Sequence, residues 1–204
     1  KNYYAMQNRA VSKQDYESLC YSMPPKFGSI KRANAVNDPS GTNRRLALYL
    51  ISADTNGKLT TTNEVTKQNL KKWLSNYKML NDVIDIYDTK IINFGIDFQV
   101  TVTRDANPND VVNRVISKII QEYDFDFYIG EPIYISELTN IISKVDGVSD
   151  VKKIKIYNIS GGNHSVTSVN FDDIKSRDAT FYKAPKNAIF ELKFPRRDIK
   201  GTAR

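Results

Sequence analysis

Ile92-Asn93-Phe94-Gly95-Ile96-Asp97-Phe98-Gln99-Val100-Thr101-Val102-Thr103 is the stretch that decides the fold. Apolar side chains alternate with polar ones or glycine at every step. A strand turns successive side chains to opposite faces, so this period predicts a long strand with one buried and one polar face. Downstream, Asn107-Pro108 reads as a helix start, because proline in the first turn needs no amide partner. That helix runs to about Tyr123, with Val111, Val115, Ile119 and Tyr123 spaced by four. Ile133 to Ile135 is a short strand. Ser136 opens a second helix with Leu138, Ile141, Ile142 and Val145 inward, and Asp146-Gly147 ends it. Val151 to Ile159 is again a strand. This order predicts two helices on one face of a small sheet over residues 89–159.

Upstream, the pattern is similar. Ser12 and Asp15 approximate a capping box for a helix carrying Tyr16, Leu19 and Cys20 inward, stopped by Pro24-Pro25. Phe27 to Val36 reads as a strand, Asn37-Asp38-Pro39-Ser40-Gly41 as a turn, and Arg45 to Ala53 as a buried strand. Thr61 and Glu64 form a second capping-box signature, opening a helix to about Tyr77 with Val65, Leu70, Trp73 and Leu74 on its apolar side. Val83 to Tyr87 is a short strand. Residues 12–88 thus form a first α+β unit. Residues 1–11 read as an extended lead-in, and the start at Lys1 suggests a preceding part.

Residues 160–204 have weak periodicity until a strand pattern at Asn187 to Phe194. They are expected as an extended arm lying along another surface. The predicted fold class is α+β, two small helix-on-sheet units in tandem followed by an extended carboxy-terminal arm. The charge supports a binding role for the end of the chain. The protein carries 30 Lys and Arg against 23 Asp and Glu, a net +7. The first 150 residues hold 18 of each sign, and the last 54 hold 12 basic and 5 acidic side chains. Such asymmetry points to an acidic partner. Lys152, Lys153, Lys155, Phe181, Tyr182, Arg196, Arg197 and Lys200 are the candidate partner contacts.

Most chemistry is excluded by residue count. The 204 residues are 40% hydrophobic and 26% charged, ordinary for a folded domain. No apolar run approaches the ~20 residues of a membrane helix. The single cysteine, Cys20, excludes an internal disulfide or a cysteine metal cluster, and it reads as a core residue. The single histidine, His164, sits in a Gly-Gly-Asn-His-Ser loop and reads as a polar side chain on the surface rather than a catalytic base. Asp124 with Asp126 and Asp172 with Asp173 read as turn or cap residues. Calcium, phosphate-loop and dinucleotide signatures are missing. No catalytic, cofactor or metal residue is therefore assigned, and no enzyme is expected. Nucleic acid is the alternative partner. Lys152-Lys153-Ile154-Lys155 and Arg196-Arg197 suit phosphates, but Phe94 and Phe98 lie on the buried face and the ribonucleoprotein motif is missing.

Several stretches together resemble a known family. Gln7-Asn8-Arg9-Ala10-Val11-Ser12-Lys13-Gln14-Asp15-Tyr16-Glu17 is similar to the opening of baseplate wedge proteins of contractile phage tails, with Ser12 where the family has threonine. Pro25-Lys26-Phe27-Gly28-Ser29-Ile30 and Leu59-Thr60-Thr61 follow in the same order. Glu131-Pro132-Ile133-Tyr134-Ile135-Ser136-Glu137-Leu138, ending at Val145-Asp146-Gly147-Val148, resembles the carboxy-terminal unit of that family. Ile189-Phe190-Glu191-Leu192-Lys193-Phe194-Pro195 with Asp198-Ile199-Lys200-Gly201 resembles its tail. The chain resembles the carboxy-terminal part of the larger wedge subunit of T4-like baseplates, a baseplate J-like protein. The resemblance implies a non-enzymatic virion component without cofactor. It implies partnership with a second copy of itself in a dimer within the wedge and with other wedge and hub proteins, relaying host contact to sheath contraction. No membrane partner is expected, since no apolar run is long enough to span one.

Overall fold

The computed structural model describes residues 9–37 and 45–204. In chain order the elements are α1 (Lys13–Tyr21), β1 (Arg32–Asn37), β2 (Arg45–Ala53), β3 (Leu59–Thr60), α2 (Glu64–Ser75), β4 (Val83–Asp88), β5 (Lys90–Val102), α3 (Pro108–Glu122), β6 (Ile133–Tyr134), α4 (Ile135–Ser143), β7 (Val148–Asn158), α5 (Phe171–Ile174), β8 (Phe181–Tyr182), β9 (Ala188–Glu191), α6 (Pro195–Asp198) and β10 (Ile199–Ala203). The fold is α+β, and the chain divides into two units, Lys1–Thr89 and Lys90–Arg204.

In the first unit β2 is the central strand. β1 pairs with it antiparallel, placing Ala33 opposite Leu50 and Ala35 opposite Leu48. β4 pairs parallel, placing Leu46 opposite Ile84, and α2 lies on the crossover that parallel pairing requires. Leu46, Leu48 and Leu50 share a face and meet Tyr16 and Cys20 of α1 and Leu70 and Leu74 of α2. Burying one such leucine contributes about 1.5–3 kcal/mol, so this two-helix layer holds the unit together. The capping box at Ser12 forms: its Oγ accepts the Asp15 amide at 3.2 Å, and Asp15 Oδ2 accepts the Ser12 amide at 2.8 Å. Those backbone donors, Ser12 and then Val11, hold the Asp15 carboxyl below its ordinary range.

In the second unit the alternating stretch forms the central strand, β5. β9 and then β10 run parallel along one side of it, with Ile91 opposite Ile189 and Ile96 opposite Ile199. β7 runs antiparallel along the other, with Ile96 opposite Ile156. α3 packs on β10, α4 on β7, and the helices on each other. Ile92, Phe94, Ile96, Phe98 and Val100 point to the helices, where Val111, Val115, Ile119, Leu138 and Ile142 are buried. Phe94 contacts the rings of Phe127 and Phe190 edge-on at 5.9 and 6.0 Å.

Several elements differ from the sequence expectation. The largest correction is the arm. Residues 160–204 lie in the second unit, and β9 and β10 complete its sheet. β9 falls within the strand expected at Asn187 to Phe194, but its pairing with β5 about a hundred positions earlier, and the five-residue β10, leave no local signal because the partner is remote in sequence. The strand expected to reach Phe194 stops at Glu191, and Phe194 is the N-cap residue of α6. The strand expected from Phe27 starts at Arg32, after a 3-10 turn at Pro25–Phe27. α2 is capped by Asn63, whose Oδ1 accepts the Val65 amide at 2.9 Å, rather than by Thr61. α4 starts at Ile135, one residue before Ser136. The predicted turn residues 38–41 and lead-in residues 1–8 lie outside the described residues.

Candidate interaction surface

The polar face of β5 is the outer face of the second unit's sheet, opposite the helices. One end is closed and the other is open. At the closed end Asn93 is fully buried although it is polar. Its Nδ2 donates to Oε2 of Glu191 at 2.7 Å, and its Oδ1 accepts the Ser165 amide at 2.6 Å. Its carbonyl accepts the Ile159 amide and the Asn158 side chain, both at 2.9 Å. Burial of an unpaired amide costs free energy, so this set of partners is what permits asparagine here.

Next along the face, Nε2 of His164 lies 3.0 Å from Oδ2 of Asp198, with side chains only 5% and 3% exposed. Asp198 Oδ2 also accepts the Phe194 amide at 3.0 Å, and Arg197 Nε reaches Oδ1 at 3.3 Å. The Arg197 guanidinium covers the Phe194 ring at 4.4 Å. Tyr157 lies across Gly95: a Cβ there would stand 2.6 Å from the tyrosine Cζ and 2.8 Å from the Asp198 carbonyl oxygen. Only glycine leaves room for this crossing. Burial, and then the charges of Asp97 and Asp198, push the Tyr157 hydroxyl above its ordinary pKa.

The open end is a basic strip. The register sets Lys200 of β10 and Lys155 of β7 on either side of Asp97, and Thr202 and Lys153 on either side of Gln99. Residues opposite one another in a sheet point to the same face. Lys153, Lys155, Lys200 and Asp97 are all exposed. Among the described residues no ion pair joins any of these lysines to a carboxylate.

The candidate contacts therefore separate. Lys153, Lys155 and Lys200 come together, and Arg197 and Arg196 follow on α6, both exposed, with Arg197 partly engaged by Asp198. Lys152 is the extra residue at a bulge, because Gln99 faces Lys153 while Val100 faces Val151, and it pairs with Asp150 at 2.7 Å. Phe181 and Tyr182 sit on the helix side, in the β6–β8 pair beside α4. Tyr182 is a correction: at 4% exposure, with its ring 5.3 Å from Phe171, it is core and presents no surface to a partner. His164 is a second correction, since its side chain is buried and bonded to Asp198 rather than lying on the surface. Asn93, Glu191 and Asp198 escaped sequence reading. The available signal was a polar residue inside an otherwise apolar strand, Glu191 between Phe190 and Leu192.

The His164–Asp198 pair fixes a loop. Ser165, the next residue, gives its hydroxyl to Thr167 at 3.1 Å and its amide to Asn93. Cys20 is buried in the first unit, and burial pushes its thiol up to about 12, so it is protonated at neutral pH. Among the described residues no group of three or more His, Cys, Asp or Glu is placed to hold a metal ion, and no helix is long and apolar enough to cross a membrane.

No protein-family model and no curated protein matches the chain. Among solved structures, it is similar to a chain in the cryo-EM structure of the anti-feeding prophage baseplate, six-fold symmetrised, with a TM-score of 0.57 and 13% sequence identity. The likeness covers 93% of this chain and 39% of that one, so this chain spans well under half the length of the baseplate chain whose fold it shares.

Proposed function

We propose that this protein is a structural subunit of a contractile-tail baseplate, located in the virion tail. In this reading it occupies the wedge, associates with itself and with other wedge and hub proteins, and relays host contact to sheath contraction without catalysing a reaction. One observation carries the proposal: both units, in order, follow a chain of the anti-feeding prophage baseplate over 93% of their length. The motif order quoted above supports the wedge position, and the exposed lysine strip supports an assembly role. Purified tails from a producing cell, imaged by cryo-EM, test it. Copies of this chain arranged around the hub are expected. Particles without the chain, or a solitary monomer that turns over a small molecule, overturn it.

A further inference from the structure

We infer that the open end of the second unit's outer sheet face binds an extended acidic segment of a different protein chain. The inference rests on the baseplate reading only for where that neighbour is met.

Three exposed lysines lie on one flat face, and strand geometry fixes their spacing. Lys153 and Lys155 are two residues apart on β7, about 7 Å. Lys155 and Lys200 are two strands apart, about 10 Å, with Asp97 between them. An extended segment with acids at every second position repeats at the same ~7 Å and so matches β7 lysine for lysine. Charge complementarity of this kind sets register and speeds encounter.

The chain's own acids at alternate positions are not free to lie as a strand. Asp15 and Glu17 are inside α1, Glu122 ends α3 and pairs with Lys118, and Asp124 accepts the Asp126 amide at 2.9 Å in a turn. That favours a different chain over a second copy. Nucleic acid fits less well than protein. A peptide whose acids lie along Lys153 and Lys155 can set an uncharged residue beside the Asp97 carboxylate, whereas a nucleic-acid backbone carries a charge at every unit and meets Asp97 wherever it crosses the row. The ring at the margin, Tyr157, is half-buried against Gly95.

The test uses the full chain and a fluorescent dodecamer peptide of alternating glutamate and threonine, read by anisotropy at about 50 mM salt, where screening is modest. The variant K153E/K155E/K200E should bind the peptide about tenfold or more weakly, while K71E/K72E/K144E, with the same change in net charge, should stay within about twofold. K153Q/K155Q/K200Q should fall between them, and thermal unfolding checks that each variant is folded. Equal losses in both glutamate variants overturn the inference, as does oligo-dT of twelve nucleotides binding more tightly than the peptide through the same lysines. Entry of K153E/K155E/K200E into assembled tails at the wild-type level also sinks the face while leaving the baseplate reading intact. Wild-type chain that binds the peptide but is missing from tails supports the face and sinks the baseplate reading instead.

Discussion

The phenyl ring of Phe98 lies directly against the backbone of Gly201. A methyl group on that glycine would collide with the ring atoms. The two residues face each other across the β5–β10 pair, under the helices. The contact sets how closely β10 approaches the core, and it requires glycine for space rather than for backbone freedom.

Gly201→Ala is therefore expected to destabilise the second unit by about 1–3 kcal/mol, the usual cost of overpacking. Phe98→Leu opens a cavity on its own, yet combined with Gly201→Ala it should recover part of the loss. A double-mutant cycle by urea unfolding measures this coupling, and strict additivity would contradict the contact.

Asn93 makes a similar demand through polarity. Asn93→Ala takes a donor from the buried Glu191 carboxylate and an acceptor from the Ser165 amide. Loss of a hydrogen-bond partner at a buried polar group costs about 1–3 kcal/mol. The expected result is a lower unfolding midpoint together with faster amide exchange in residues 159–169, whose loop loses its anchor. Unchanged exchange at Ser165 would show that the anchor lies elsewhere.

The outer edge of β1 is closed by side chains from α1. The Ala33 amide donates to the Tyr21 hydroxyl at 2.9 Å, and the Ala35 amide donates to Oε1 of Glu17 at 2.8 Å. Free edge donors invite pairing with another strand. Glu17→Ala with Tyr21→Phe should lose about 1–3 kcal/mol of stability in total and gain concentration-dependent self-association, visible by light scattering. A double variant that stays as dispersed as the parent would show that the edge needs no guard.

Cys20 provides a test by pH. Its folded thiol titrates near 12, against 9.0 as an ordinary thiol, chiefly because it is buried. A raised folded pKa means that the stabilisation is complete below pH 9 and is lost as pH climbs towards 12. Tyr16 and Tyr123, also raised by burial, act in the same direction above pH 10. Cys20→Ala should flatten the decline between pH 9 and 10, where the tyrosines contribute little. In the parent, alkylation of Cys20 by iodoacetamide at pH 8 should follow the unfolding rate; rapid labelling of folded protein would contradict its burial.

Ending the chain after Ile159 removes β9 and β10 and bares one edge of β5, with Ile92, Phe94 and Phe98 beneath it. Such a truncation should abolish cooperative unfolding of the second unit while the first keeps its own transition. Two intact transitions would return residues 160–204 to the status of a separable arm.

Local signals carried the sequence reading a long way. The alternation through Ile92–Val102, the Asn107-Pro108 start and the spacing of Val111, Val115 and Ile119 are written in neighbouring residues, and strand and helix periods follow from backbone geometry alone. These features determined the α+β class and the inward face of β5. Tertiary structure alone decided that Ala188–Glu191 and Ile199–Ala203 close the sheet, that His164 is buried on Asp198, and that Lys153, Lys155 and Lys200 share one face while Lys152 falls in a bulge. Each of these depends on pairing between segments tens of residues apart. Short strands carry too few positions to display a period, and a polar side chain is stable in the interior only once a remote partner has been delivered to it.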